Sequence, residues 1–279
     1  MTKTKKLPSN NTTRDQTRIL VHPWTAIGAL AIFAILFGAW YLANTRSGSG
    51  NENVQFVHIH GIGFSSDGRQ LFVTAHDGFR VYEAGHWKIP DLPINDYMGY
   101  NPTDNGFYSS GHPGPGSALA NPLGLIRSSD GGRTFTTLSF AGESDFHLMG
   151  VGYNNHAIYA LNSSPNSRLS VGLYYSLDDG QHWQQSAGQG IAATPIQIAV
   201  HPTQAQIAAI ATENGLFLSN DYGNTFTRVN DIAPVSAVIF DSETGNLLFG
   251  YQSLYTHDLV SNQTAAFPSP SISSNDAIS

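Results

Sequence analysis

The chain has 279 residues, of which 41% are hydrophobic and only 12% charged, so it can bury a full core and is expected to be ordered. Its 28 glycines and 14 prolines favour many short strands joined by turns, which indicates an all-β protein. The absence of cysteine excludes disulfides and thiolate metal sites, and a net charge of −7 argues against a nucleic-acid partner.

The first predicted element is a transmembrane helix over residues 24–43. This run, WTAIGALAIFAILFGAWYLA, contains no charged residue and is long enough to cross a hydrocarbon core about 30 Å thick. Basic residues are concentrated before the run, which predicts a cytoplasmic N-terminus over 1–23 and places the remainder outside the cytoplasm. The alternatives are a cleaved signal peptide and a buried core helix. The long lead-in and the lack of a clear cleavage site favour an uncleaved single-pass anchor in the cell membrane.

A polar linker over residues 44–54 precedes a region that contains a repeated motif. The segments SSDGGRTF, SLDDGQHW and SNDYGNTF share the pattern S-x-D-x-G-x-x-aromatic. In each copy the aspartate can accept backbone N–H groups of its own turn, and the glycine permits a positive φ. The motif therefore predicts a structural turn, not a catalytic site. Its aspartate–glycine pairs are Asp130 and Gly132, Asp178 and Gly180, and Asp221 and Gly223.

The spacing of the motif, about 45 residues, matches one four-stranded blade of a β-propeller. Repetition of the flanking strand patterns gives five visible blades over residues 55–265. A β-sandwich with accidental similarity between its turns is the alternative, and the regular period argues against it. Residues 266–279 form a polar tail, or the last of them, NDAIS at 275–279, open a truncated sixth blade.

The repeats resemble those of BNR/Asp-box propellers, a group that includes sialidases and sortilin-type domains. The segments HIHG, AHDG, SGHPGPGS with NPLGL, and DFH look closest to bacterial membrane-anchored, sortilin-like proteins with a glycosyl-hydrolase-like label. The resemblance implies a fold, and a fold does not imply an activity. It slightly favours a sixth blade. Sialidase activity is not expected, because no arginine triad can be assembled and the FRIP motif of that family is missing.

Five histidines from blades 1 to 3 are predicted to converge on one face, because the start of a first strand lies near the end of a second strand. These predicted ligand-binding residues are His58, His60, His76, His112 and His147.

Alignment of the first strands also places Met98 and Met149 at equivalent positions. Imidazole and thioether donors together suit a transition metal such as copper. The candidate metal ligands are His58, His60, His147, Met98 and Met149. A polar ligand site without a metal, and simple packing of these side chains, are the alternatives.

Whether the protein is an enzyme stays open at this stage. The sequence favours a membrane-tethered module that binds a ligand, a metal, a protein or a glycan, because no nucleophile and base pair is recognisable. A glycoside hydrolase-like enzyme is the alternative, with Asp96, Glu143 and Asp145 as candidate carboxylates. The Gly/Pro-rich segment 111–124 is either a rim of the site or a plain surface loop.

Overall fold

The computed structural model describes residues 54–268. The predicted cytoplasmic segment, the transmembrane run 24–43, nearly all of the linker and the tail beyond residue 268 lie outside the described residues. Within residues 54–268, no helix has the length and apolarity needed to cross a bilayer.

The described residues form a β-propeller of five blades, each an antiparallel sheet of four strands in sequence order. This architecture confirms the all-β propeller prediction. Blade 1 consists of β1 (Ile59–Phe64), β2 (Gln70–Ala75), β3 (Gly78–Glu83) and β4 (His86–Lys88). Blade 2 consists of β5 (Asp96–Thr103), β6 (Gly106–His112), β7 (Leu125–Ser128) and β8 (Thr136–Ser139).

The other three blades repeat this arrangement. Blade 3 consists of β9 (Met149–Val151), β10 (Ile158–Asn162), β11 (Gly172–Ser176) and β12 (Gln184–Ser186). Blade 4 consists of β13 (Pro195–Val200), β14 (Ala208–Thr212), β15 (Gly215–Ser219) and β16 (Thr227–Arg228). Blade 5 consists of β17 (Ala237–Phe240), β18 (Leu247–Gly250), β19 (Leu254–Asp258) and β20 (Gln263–Ala266).

The repeated motif forms the turn between the third and fourth strands of blades 2, 3 and 4. In blade 2, Asp130 Oδ1 accepts the backbone N–H of Arg133 at 3.0 Å and that of Thr134 at 2.9 Å. The Ser128 hydroxyl donates to the same carboxylate oxygen and accepts the N–H of Gly132. Asp178 and Asp221 accept the corresponding bonds in blades 3 and 4. Each turn thus satisfies its backbone donors with the aspartate and serine side chains of the motif, and the role of the aspartate is the one that the sequence pattern predicts.

Hydrophobic clusters fill the spaces between successive blades. Aromatic side chains such as Phe79 and Phe107 pack between blades 1 and 2, and Phe146 and Tyr108 pack between blades 2 and 3. Two further clusters join blade 3 to blade 4 and blade 4 to blade 5. The apolar side chains of these clusters are therefore buried against the neighbouring blade.

The face of blade 1 that points away from blade 2 and the face of blade 5 that points away from blade 4 lack such a cluster among the described residues. Within residues 54–268, no hydrophobic cluster joins blade 5 to blade 1. Ile62 and Phe64 of β1 are 62% and 60% exposed, and Ile239 of β17 is 56% exposed. The residues predicted to open a sixth blade, 275–279, lie outside the described part of the chain.

Candidate metal centre

The candidate site forms where first strands begin and second strands end, on blades 1 to 3. In blade 2, Asp96 at the start of β5 lies directly opposite His112 at the end of β6. Residues that pair across an antiparallel sheet project their side chains to the same face. In blade 1, His60 lies at a register shift near the start of β1, and His76 follows the last residue of β2. The topology thus gathers side chains that are far apart in the sequence.

Three of these side chains form a compact group, which we call the HHD group: His60, His76 and Asp96. His60 Nε2 lies 3.3 Å from His76 Nδ1, and His76 Nδ1 lies 2.7 Å from Asp96 Oδ2. His60 Nε2 is 3.4 Å from Asp96 Oδ1. Asp96 Oδ1 is buried and has no hydrogen-bond partner among the described residues. A buried carboxylate oxygen without a hydrogen-bond partner is suited to bind a cation.

The His60 ring is suited to act as a neutral ligand. Burial is the main cause that lowers the pKa of His60. Asp96 opposes this effect, and His76, His147 and His58 then lower the pKa further, in that order. A histidine must be unprotonated on the nitrogen that binds a metal, so a lowered pKa favours coordination at neutral pH. The side chain of His76 is 42% exposed, which leaves the group open to solvent.

A second group, which we call the HDH group, consists of His112, Asp145 and His147. Asp145 Oδ2 lies 3.0 Å from His112 Nε2 and 3.0 Å from His147 Nδ1. Burial raises the pKa of Asp145, although His147 and His112 lower it. His112 Nδ1 lies 2.7 Å from the Asn121 side-chain oxygen. Asp145 Oδ2 therefore lies within ion-pair distance of two imidazole rings.

The Gly/Pro-rich segment 111–124 forms the rim of the HDH group. It supplies Asn121 to His112, and its two ends are joined by a bond from Leu123 N to Gly111 O. Gly114 N donates to the side chain of Asn95, which directly precedes Asp96. These contacts favour the interpretation of segment 111–124 as a rim of the site over that of a plain surface loop.

The remaining predicted residues lie in different surroundings. His58 precedes β1 with a φ of 51°, so it does not share the alternation of the strand, yet its ring centroid is 5.0 Å from that of His76. Met149 is buried in the cluster between blades 2 and 3, and Met98 is also buried. His147 is 61% exposed at its side chain. His147 lies outside β9, which begins at Met149.

Glu143 is separate from both groups. Its Oε2 accepts the backbone N–H of Ser167 at 2.7 Å, which ties two loops together. The hydrogen bond from Ser167 lowers the pKa of Glu143, the opposite of what a general acid needs.

Asp96 and Asp145 are the two candidate carboxylates that the structure brings to the histidines. The sequence signal for Asp96 was its position two residues before Met98 in a first strand, which matches the position of the histidines in blades 1 and 3.

No protein-family model matches the chain, and no curated protein matches it. Solved structures share its fold. The GH74 enzyme of Niastella koreensis is 17% identical with a TM-score of 0.54, and the match covers 76% of this chain but 37% of that enzyme. The chain therefore spans well under half of the length of this relative.

Two further solved structures match at comparable length. A nidogen/laminin complex contains a chain that is 13% identical with a TM-score of 0.53, with 75% of this chain and 79% of that chain covered. A putative TolB from Agrobacterium tumefaciens is 9% identical with a TM-score of 0.52, and the coverage is again 75% and 79%. At these identities the likeness shows the β-propeller fold alone.

Proposed function

We propose that the protein is a membrane-tethered, extracytoplasmic β-propeller that binds a divalent transition-metal ion at the HHD group. The observation that carries this proposal is the convergence of His60, His76 and Asp96, whose donor atoms lie 2.7 to 3.4 Å apart. Metal–ligand bonds of about 2.0–2.1 Å in a tetrahedral site place neighbouring donors about 3.3 Å apart. The HHD group matches this spacing with little movement.

The donor set favours zinc or Cu(II). Imidazole nitrogens suit zinc, copper and nickel, whereas Mg²⁺ and Ca²⁺ prefer a shell of oxygen ligands. Met98 and Met149 are both buried, so the proposal relies on the imidazole and carboxylate donors of the HHD group. Zinc and Cu(II) are its two candidate ions.

The experiment is titration of the purified full-length chain with Zn²⁺ and with Cu²⁺, followed by calorimetry. We expect one equivalent to bind, and His60→Ala or Asp96→Asn to weaken binding by at least tenfold. His182→Ala is the matched control, because His182 pairs with Asp178 at 2.6 Å on the surface of blade 3, outside both groups. Equal binding by the wild type and all variants, or no binding, would exclude the site.

We also propose that the chain is a relative of the BNR/Asp-box propellers. Support comes from the three equivalent turns at Asp130, Asp178 and Asp221, which repeat one set of side-chain to backbone hydrogen bonds. The sortilin-like and glycosyl-hydrolase-like resemblance extends this proposal. It does not by itself specify an activity.

A glycan-acting function is the second candidate. It is favoured by two largely buried carboxylates at one site, Asp96 and Asp145, together with burial that raises the pKa of Asp145 as a general acid requires. The fold shared with a GH74 enzyme is consistent with it. Release of reducing ends from a panel of β-linked glycans, abolished in Asp145→Asn, is the expected result. If no glycan is cleaved, the glycan-acting candidate is wrong and the metal-binding proposal is unaffected.

A further inference from the structure

Alternate residues of the first strand pack against the preceding blade. In blades 3, 4 and 5 these residues are only 3% to 7% exposed and belong to the clusters between blades: Met149, Val151, Ile198, Val200, Val238 and Phe240. In β1 the corresponding residues are Ile62 and Phe64, which flank Gly63. A Cβ atom on Gly63 would lie 2.5 Å from Pro102 of blade 2, so Ile62 and Phe64 point away from blade 2. Both are exposed, unlike their counterparts in the later blades.

The residue that follows such a buried position faces the next blade. A Cβ atom on Gly99 of β5 would lie 3.2 Å from the Cβ atom of Met149 in blade 3. A Cβ atom on Gly150 of β9 would likewise lie 3.1 Å from the Ile198 side chain in blade 4. In β17 this position is occupied by Ile239, which is 56% exposed. The face of blade 5 that corresponds to a contact with a following blade is therefore apolar and open.

The connections between blades have nearly constant length. Seven to nine residues join the fourth strand of one blade to the first strand of the next: residues 89–95, 140–148, 187–194 and 229–236. The last strand of blade 5 ends at Ala266. A connection of the same length places the start of a following first strand at 274–276. The segment NDAIS begins within this range, at residue 275.

The segment NDAIS, residues 275–279, also matches the start of an observed first strand. Residues 95–99, at the start of β5, have the sequence NDYMG. This alignment places Ile278 at the position of Met98. Met98 in turn aligns with Met149, because each directly precedes a glycine of its first strand. Ile278 therefore takes the position of a residue that packs against the preceding blade.

We propose that residues 275–279, which lie outside the described residues, begin a further blade and pack on the open face of β17, with Ile278 against Ile239. Two apolar side chains would leave water in this contact, one of them more than half exposed among the described residues. The added strand would also cover a sheet face that otherwise invites association with other chains. The proposal concerns the face of blade 5 and is independent of the metal site.

The test uses pairs of introduced cysteines in the full-length chain, which contains no native cysteine. Ile239→Cys combined with Ile278→Cys is expected to form an intramolecular disulfide under mild oxidation, because the bond needs Cβ atoms about 3.8 Å apart. Val260→Cys combined with Ile278→Cys is the matched control. Val260 is 96% exposed in the loop between β19 and β20, so this pair measures random collisions of the C-terminal segment. We expect the first pair to form its disulfide at least tenfold faster than the control.

Electrophoresis without reductant measures the rates, and peptide mass spectrometry identifies the linked residues. Thermal unfolding under reducing conditions should match the wild type, since both Ile239 and Val260 are exposed. Equal rates in the two pairs, or no disulfide in either, would show that residues 275–279 do not pack on blade 5.

Two other occupants of this face have their own signatures. Faster disulfide formation between two chains in the single variant Ile239→Cys than in Val260→Cys would assign the face to a second copy. A rapid intramolecular disulfide in Ile62→Cys combined with Ile239→Cys would mean that blades 5 and 1 meet directly. Either result would overturn the proposal.

Discussion

At the scale of single residues, Gly111 determines how closely β6 can approach β5 at the site. Its φ is 114°, and a Cβ atom at this position would lie only 2.0 Å from the carbonyl oxygen of Asp96. Asp96 and His112 can therefore pair only because the residue beside His112 has no side chain. The geometry of the HHD and HDH groups therefore depends on the absence of a Cβ atom at Gly111.

We expect Gly111→Ala to lower the free energy of unfolding by more than about 3 kcal/mol, because the backbone must shift as well as adopt a strained φ. Zinc affinity should fall with it. The matched control is Gly116→Ala in the same loop, where φ is also positive at 78° but no atom lies within 4 Å of the added Cβ. Its cost should be about 1 kcal/mol. Urea denaturation of both variants measures the difference, and equal losses would show that the contact with Asp96 is unimportant.

At the scale of the secondary-structure element, the ionised aspartate of each motif stabilises its turn. Hydrogen bonds from Thr134 are the main cause that lowers the pKa of Asp130 to about 2, and bonds from His182 do the same for Asp178. A carboxylate whose folded pKa is depressed stabilises the fold above its unfolded pKa. This contribution is lost as the pH falls through the folded value.

Asp130→Ala is therefore expected to cost about 1 kcal/mol at pH 7, a modest value because the side chain is accessible to solvent. The cost should shrink between about pH 4 and pH 2, where the wild-type carboxylate becomes protonated. Asp231→Ala is the control, since Asp231 is fully exposed and should cost almost nothing at any pH. Thermal unfolding at several pH values measures both variants. A constant cost for Asp130→Ala would assign its effect to packing and not to charge.

At the scale of the whole molecule, blade 1 has one covered face and one open face. Phe72 is 5% exposed and packs in the cluster towards blade 2, whereas Phe64 on β1 is 60% exposed. Phe72→Lys is expected to lower the free energy of unfolding by about 3 kcal/mol or more, and Phe64→Lys by less than about 0.5 kcal/mol. Chemical denaturation of the full-length chain decides this. A large loss for Phe64→Lys would mean that another segment covers this face and closes the ring.

The predicted anchor sets the second expectation at this scale. An uncleaved helix over residues 24–43, with basic residues before it, places the propeller outside the cytoplasm. Protease added to intact cells should digest the chain beyond residue 55 and leave the N-terminal segment protected. Protection of the propeller together with digestion of the N-terminus would reverse the orientation, and a shortened mature chain would indicate a cleaved signal.

The sequence by itself determined the propeller, because blade period, strand alternation and the Asp–Gly turns are local patterns that repeat along the chain. It also predicted that five histidines gather in one region, since His76 directly follows one second strand and His112 ends another. Only the tertiary structure decided which donors meet. Asp96 lies beside His60 and His76, and Asp145 lies beside His112 and His147. These pairings depend on the distances between strand ends, which a register shift in β1 and the late start of β9 change. Met98 and Met149 followed the sequence pattern of ligands but are buried, because burial depends on how neighbouring blades pack and not on the period within one strand.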